Sequence, residues 1–594
     1  MCGIAGVIDA SGSPPDSAIL DRLVQALAHR GPDGQGRHLD GGVGMVQTRL
    51  AIIDLETGDQ PLYATASGGG RTALVANGEI YNYVELRAAM TDGEFHTRSD
   101  CEPPLHLYAR HGTGFAAHLR GMYAIAIHDP EVPGGRVVLA RDPFGIKPLY
   151  YVELEGGLAF ASEPQALIAA GLVAPMLDPA QRDQVLQMQF SCGRSTVLKD
   201  IRRALPGETL VVDGGRIGES LRSPALPADG PKEWSEAEAL ERLEEALVDS
   251  VSVHQRSDVP YGMFLSGGVD SSAVLALMRD LNDEPVQAFT VGFAGTGVHD
   301  ERHHAEAVAR VAGAHFQAVE FSDDDFWRLL PRIAAVMDDP AADYAVLPSY
   351  KLAEEARRNG LKVILTGEGG DELFGGYGRY RRAARHRLLG GRPMRARGTF
   401  DGLDVLRDDS KAWRGAMVEA EAAARTPGRS RLQVAQATDC ADWLPNDLLA
   451  KLDRCLMAFG VEGRTPFLDP RVAEVAFRLP DALKVRSGRS KWLLRRWLER
   501  RLPEAKPFTR KRGFTVPVGD WIARQGRRLG SLVADQPGVA EVCRPGTIES
   551  LFSATGKRAG QAQWTLLFYA LWHRRHILGR DPGGDVFETL AEKG

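Results

Sequence analysis

Two periodicities divide this chain. Up to about residue 210 the apolar positions come in short β-leaning runs: CGIAGVI, GVGMVQ, TALVANG, MYAIAIHD, RVVLARD and LAFASE. Gly and Pro clusters separate them. Helical spacing is scarcer there, with 18–29 and 83–90 as the candidates. The pattern predicts a sheet-rich unit with helices packed on it. Beyond about residue 235 the pattern alternates. Strands are predicted at 260–265, 286–293, 316–321 and 361–365, with helices at 271–281 and 301–312. Such alternation predicts a doubly wound parallel sheet, whose ligands sit beyond the carboxyl ends of its strands. Residues 213–234 are rich in Gly, Pro and polar side chains and read as a linker. Ser235 and Glu238 then form the sequence signature of a capping box, opening a helix that runs to about His254. The expected domains are therefore 1–212 and 235–594.

Composition narrows the function classes. With 594 residues, 44% hydrophobic and 25% charged, the chain has ordinary globular usage and can bury a large core. A net charge of -6 gives no broad cationic footprint for nucleic acid. The local crowd Arg379, Arg381, Arg382, Arg385 and Arg387 reads as a solvated or phosphate-facing segment. KWLLRRWLERR, at 491–501, has Trp and Leu at helical spacing and reads as a core-facing helix. The six cysteines, Cys2, Cys101, Cys192, Cys440, Cys455 and Cys543, form no C-x-x-C pair and no disulfide framework. No apolar run reaches the roughly 18 residues that span a bilayer. The start lacks a secretory signal pattern. The expectation is a cytoplasmic protein with neither membrane nor nucleic-acid partner.

Cys2 stands apart from the other thiols. Loss of Met1 would place its α-amine beside its own thiol, the arrangement of an N-terminal nucleophile with a built-in base. A thiolate that hydrolyses an amide needs an oxyanion hole, and Asn77-Gly78 in ANGEIYNY offers a side-chain amide and a backbone N–H. Arg49 could hold a carboxylate and Asp100 an ammonium. Each alone has a bland reading as a hairpin turn or a surface charge. Together, CGIAGV, HRGPD, RLAIID, NGEIYNY and Ser99-Asp100 resemble the glutaminase domain of class II amidotransferases. That resemblance covers about the first 200 residues. It implies a four-layer αββα N-terminal nucleophile sandwich, an α+β fold, with Cys2 as nucleophile. It also implies that Arg49, Asn77, Gly78, Glu79 and Asp100 contact glutamine or its oxyanion. Pro103-Pro104, after Glu102, departs from the usual direct entry into a helix, and a local shift is expected there.

A second motif, FLSGGVDSS, lies between a predicted strand and helix. Gly267 and Gly268 let backbone N–H groups approach an anion, and the helix start favours negative charge. Ser266 and Ser271 add hydroxyls, and Asp270 suits Mg²⁺. It is not a Walker A loop. The string resembles the pyrophosphate-binding loop of ATP pyrophosphatases, which transfer AMP to a carboxylate. In LTGEGGDELFGGY, Glu368, Asp371 and Glu372 crowd three carboxylates into five residues, a pattern of metal binding or general-base work. Lys511, in TRKRGFTVP, is a candidate cation for phosphoryl oxygens.

The combination resembles glutamine-hydrolysing asparagine synthetases over nearly the full length, including DRCLMAFGVEGRTPFLDP at 453–470. The resemblance implies ATP binding by Leu265, Ser266, Gly267, Gly268, Asp270, Ser271, Val291, Thr366 and Gly367. It implies Mg²⁺ at Asp270 and Asp371, catalytic roles for Glu368 and Lys511, and an acceptor pocket shaped by MDDPAADYAVLP. The substrates implied are glutamine, ATP and aspartate, with β-aspartyl-AMP as intermediate and an internal passage for ammonia; the partner expectation includes a homodimer. Gly463 and Thr465 stand where such chains usually have Ala and Val. These departures leave open another carboxylate acceptor, as in β-lactam- or peptide-forming relatives. A non-catalytic scaffold predicts loss of Cys2, Asp270 or Glu368, and all three are present.

Overall fold

The computed structural model describes residues 2–65, 69–90, 95–293, 301–386, 388, 390–408, 410–509 and 516–592. Among them the N-terminal part has strands β1 (Cys2–Asp9), β2 (Gly34–Asp40), β3 (Val43–Arg49), β4 (Leu62–Thr65), β5 (Arg71–Ile80) and β6 (Gly121–Asp129). They continue as β7 (Arg136–Arg141), β8 (Tyr150–Leu154), β9 (Gly157–Ala161), β10 (Arg202–Arg203), β11 (Glu208–Asp213) and β12 (Arg216–Arg222). Two antiparallel sheets result, ordered β10-β8-β9-β1-β3-β2 and β12-β11-β7-β6-β5-β4.

Strand alternation assigns each side chain a face. From β1, Ile4 and Ile8 enter the core between the sheets with Val43, Met45, Val75 and Leu139. Ala5 and Val7 take the other face and pack with Leu20, Leu23 and Leu27 of the helix Ser17–Leu27. On the second sheet's outer face, Leu105, Leu107 and Tyr108 of the helix Pro103–His111 pack with Leu74, Ala76 and Ile125. The layers are therefore αββα, as expected. Central strands are covered on both sides, which is why MYAIAIHD reads as a continuous apolar run.

Pro103 and Pro104 occupy the first helical positions, where a missing N–H leaves no bond unmade. Glu102 instead accepts from the N–H groups of His96 and Thr97, at 2.7 and 2.9 Å. The expected linker starts too early. β12 pairs with β11 from Glu208↔Arg222 to Asp213↔Arg216, around a turn in which Gly214 and Gly215 have φ of 53° and 75°. It is a polar edge strand with little buried surface, so its pattern resembles a loop. The capping box is half made. Ser235 Oγ accepts from Glu238 N at 3.2 Å, but the Glu238 carboxylate turns to Arg242 at 3.1 Å.

The C-terminal part carries β13 (Tyr261–Phe264), β14 (Gln287–Gly292), β15 (His315–Glu320), β16 (Val363–Leu365) and β17 (Glu462–Arg464), all parallel, ordered β15-β14-β13-β16-β17. The direction of winding reverses between β13 and β16. The loops that follow those two strands therefore share the crevice where such folds bind ligands. The helix Trp492–Arg501 buries Leu493, Leu494, Trp497 and Leu498, the core-facing arrangement expected.

Buried ion pairs join the two halves. Arg30, paired within its own half to Glu163 at 2.7 Å, reaches Asp453 of the other at 2.7 Å, and Arg203 meets Asp339 at 2.7 Å. Arg379 leaves the solvated segment expected for it, pairing with Asp439 at 2.7 Å and stacking on Tyr377 and Trp443. Arg387 lies outside the described residues.

Candidate active sites

Cys2 opens β1 in the middle of its sheet, opposite Arg49 on β3. Its Sγ accepts from Gln47 Nε2 at 2.8 Å, and its backbone N donates to Asn77 Oδ1 at 3.2 Å. Burial pushes the thiol pKa up, so a base must take its proton before it can attack. Gln47 had no motif to announce it. It is found only because β3 lies beside β1.

The contact to Cys2 N fixes the orientation of Asn77. Its Oδ1 faces Cys2, and its Nδ2 is buried with no hydrogen-bond partner among the described residues. Such orphan donors are uncommon in folded proteins and point to a ligand or a reacting group. Gly78 must be glycine for a separate reason. A Cβ there would lie 2.1 Å from Met122 O on β6.

Charged groups surround this point. Arg49 pairs with Asp59 at 2.6 Å and also donates to Asp54 O. Asp59 is largely exposed, so that pair is weak and exchangeable for a substrate carboxylate. Asp100 accepts from Ile80 N at 2.8 Å, and burial raises its pKa. Glu79 is buried and raised further, by burial and then by Glu462 and Asp100. Its counter-ion crosses from the other half: Arg464, on β17, approaches it at 3.3 Å. The Arg464 carbonyl accepts from Thr366 N at 2.9 Å, so one residue touches both candidate sites.

The second site forms at the switch point. Leu265 directly follows β13, donating its N–H to Phe289 O at 2.8 Å, while Val291 lies on β14 in apolar packing. Ser271 Oγ accepts from Ser266 N at 3.2 Å and lies 3.1 Å from Ser266 Oγ. Gly267 takes φ of 68°. The loop after β16 presses against this one through glycines. A Cβ on Gly367 would lie 2.9 Å from Ser271 N, and one on Gly370 2.6 Å from Asp270 Oδ1. Asp270 and Asp371 converge on a single cation, Lys491 Nζ, which is 2.5 Å from Asp371 and also bonded to Asp270. Two carboxylates aimed at one point fit a divalent ion as well as an ammonium. The sequence pattern places Lys491 at the start of a core-facing helix. It caps that helix with φ of 55°, and this left-handed residue joins the site.

Glu368 lies partly buried behind the same loop. Burial raises its pKa, opposed by Lys451 and reinforced by Asp343, Asp371 and Asp270. Lys451 is itself buried and pairs with Asp343 at 3.1 Å, within the segment expected to shape the acceptor pocket. Glu372 is pushed up to about 8, by burial first, and accepts from Tyr377 Oη at 2.8 Å. Lys511 lies outside the described residues. The two departures at β17 are matters of packing. The space beside Gly463 is taken by Leu452 and Leu456, and Thr465 is fully buried.

Residues 242–574 match the asparagine synthase family and residues 1–221 the glutamine amidotransferase domain. The chain is 31% identical to asparagine synthetase (glutamine-hydrolyzing) 1 of Bacillus subtilis strain 168, over 97% of each chain. It is 28% identical to asparagine synthetase B (glutamine-hydrolyzing) of Escherichia coli K12, over 90% of this chain and 86% of that one. Among the described residues, no helix is long and apolar enough to cross a membrane.

Proposed function

The chain belongs to the asparagine synthase family, and from that premise we propose that it is a two-site ligase that takes ammonia from glutamine and uses ATP to amidate aspartate. One observation carries this reading: a single chain builds both a buried thiol beside an orphan amide donor and a glycine-walled anion loop at a sheet's switch point.

At the first site the Cys2 sulfur attacks the glutamine side-chain carbonyl carbon. The α-amine freed by loss of Met1 takes the thiol proton, held in place by Asn77 Oδ1. Asn77 Nδ2 and the Gly78 N–H stabilise the oxyanion. The α-amine passes that proton to the departing nitrogen as the C–N bond breaks, ammonia leaves, and water then releases glutamate from the sulfur. Arg49 holds the substrate α-carboxylate, while Asp100 and Glu79 hold its α-ammonium.

At the second site a β-carboxylate oxygen of aspartate attacks the α-phosphorus of ATP and pyrophosphate leaves. The backbone of 266–268 with Ser266 and Ser271 receives the phosphates; Leu265, Val291, Thr366 and Gly367 frame the nucleotide. Asp270 and Asp371 would hold Mg²⁺, which neutralises phosphate charge when bound. Lys511 supplies a further cation to the transition state. Ammonia attacks the acyl carbon, AMP leaves, and Glu368 accepts the surplus proton. Since ammonium is no nucleophile, an internal passage for ammonia between the two sites is part of this reading.

The test supplies glutamine, MgATP and aspartate to the purified protein and quantifies glutamate, AMP, pyrophosphate and asparagine together. Near-equal yields are expected, with Cys2→Ala retaining only ammonia-dependent synthesis. Glutamate without AMP or asparagine would reject aspartate as the acceptor.

A further inference from the structure

His38 and His128 belong to neither site. His38 lies on the edge strand β2 and His128 on the central strand β6 of the opposite sheet. Both are buried, at 6% and 2% exposure. Their facing nitrogens, His38 Nε2 and His128 Nδ1, are 2.8 Å apart, so one ring donates and the other accepts. Asp40 follows His38 by two residues and leaves β2 on the same face. One donor atom from each of the three residues lies within 4.8 Å of the other two. Asp40 is exposed, which leaves the cluster open on that side.

We propose that His38, His128 and Asp40 form a binding site for a zinc-class divalent ion that ties the edge strand β2 to the second sheet. Two imidazoles and one carboxylate select zinc, nickel or copper over magnesium. Bonds of about 2.0–2.1 Å in a tetrahedron set donors about 3.3 Å apart. The two histidine nitrogens therefore need to part by only about half an ångström. Water takes the fourth position on the open Asp40 side. Burial disfavours the charged form of both rings, leaving them in the neutral form that ligates. Asp129 adds a further negative group toward His128. Arg71, stacked on Tyr63 beside His38, acts against it. On its own sheet β2 is bonded only to β3, so an ion bridging to β6 would hold a strand that otherwise has one free edge.

The experiment uses untagged full-length protein in a Cys2→Ser background, stripped with a chelator and titrated with Co²⁺. One equivalent should bind with the visible absorption of a tetrahedral N/O site and no thiolate charge-transfer band, and Zn²⁺ should displace it. His38→Gln and His128→Gln should each weaken binding at least about 100-fold, and Asp40→Asn about 10-fold. Asp40 is exposed, so its variant tests the site even if a histidine variant misfolds. Zn²⁺ should also raise the unfolding temperature of the parent but not of the histidine variants. No stoichiometric binding to the parent, or binding that survives Asp40→Asn and both histidine changes, overturns the proposal.

Discussion

Asn77→Ala should slow glutamine hydrolysis about 100- to 1,000-fold while leaving ammonia-dependent amidation unchanged. Asn77 Nδ2 is buried and has no partner among the described residues, while Oδ1 holds Cys2 N at 3.2 Å. The donor breaks no existing bond when an oxyanion forms, so its energy is gained only in the transition state. A donor of that kind is worth about 2.7–4 kcal/mol. At about 1.36 kcal/mol per tenfold, that is two to three decades of rate. The loss should fall on kcat, with KM nearly unchanged. Asn77→Asp separates the two ends of the amide. It keeps an oxygen for Cys2 N but replaces the donor with an acceptor, so it should be at least as slow as Asn77→Ala. The assay is initial-rate glutamate release across glutamine concentrations, with ammonia-dependent AMP formation as the control for an intact second site. A kcat within tenfold of the parent, or a loss confined to KM, would refute the assignment.

Other expectations follow from the same geometry. Lys491→Met removes the ammonium shared by Asp270 and Asp371; pyrophosphate release should fall at least about tenfold while glutaminase kcat stays level, and an unchanged pyrophosphate rate would place Lys491 outside the site's function. Glu368 has its pKa raised by burial, so its basic form is lost as pH falls through that raised value. Ammonia-dependent synthesis, corrected for free ammonia, should show an acid limb above the ordinary carboxylate range, and a limb that persists in Glu368→Gln would assign it elsewhere. Arg30→Leu takes the nearest cation from buried Glu163 and one of two from Asp453, leaving them His29 and Arg454; chemical denaturation should register a loss of about 1.5–3 kcal/mol, and a loss under about 1 kcal/mol would mean that the network is solvated.

The sequence by itself determined the elements and the two chemistries. Strand runs, turn glycines and the alternation after residue 235 carried the sandwich and the parallel sheet, because period and turn chemistry are local properties. Cys2, Asn77-Gly78 and SGGVDSS were legible because their backbone requirements are written into adjacent residues. Polar β12 was missed because an edge strand with little buried surface has no apolar alternation to read.

Tertiary structure decided what no window could hold. Gln47 reaches the thiol only through the pairing of β1 with β3, and Lys491 reaches Asp270 across 221 residues. Arg464 meets Glu79 because β17 joins the edge of the parallel sheet that faces the sandwich. Arg30, in the HRGPD motif, bridges Glu163 of its own half and Asp453, 423 residues along the chain. Each of these is a charge or an amide whose partner lies far along the chain. Only packing that excludes water brings such pairs together, and desolvation then makes each pairing obligatory.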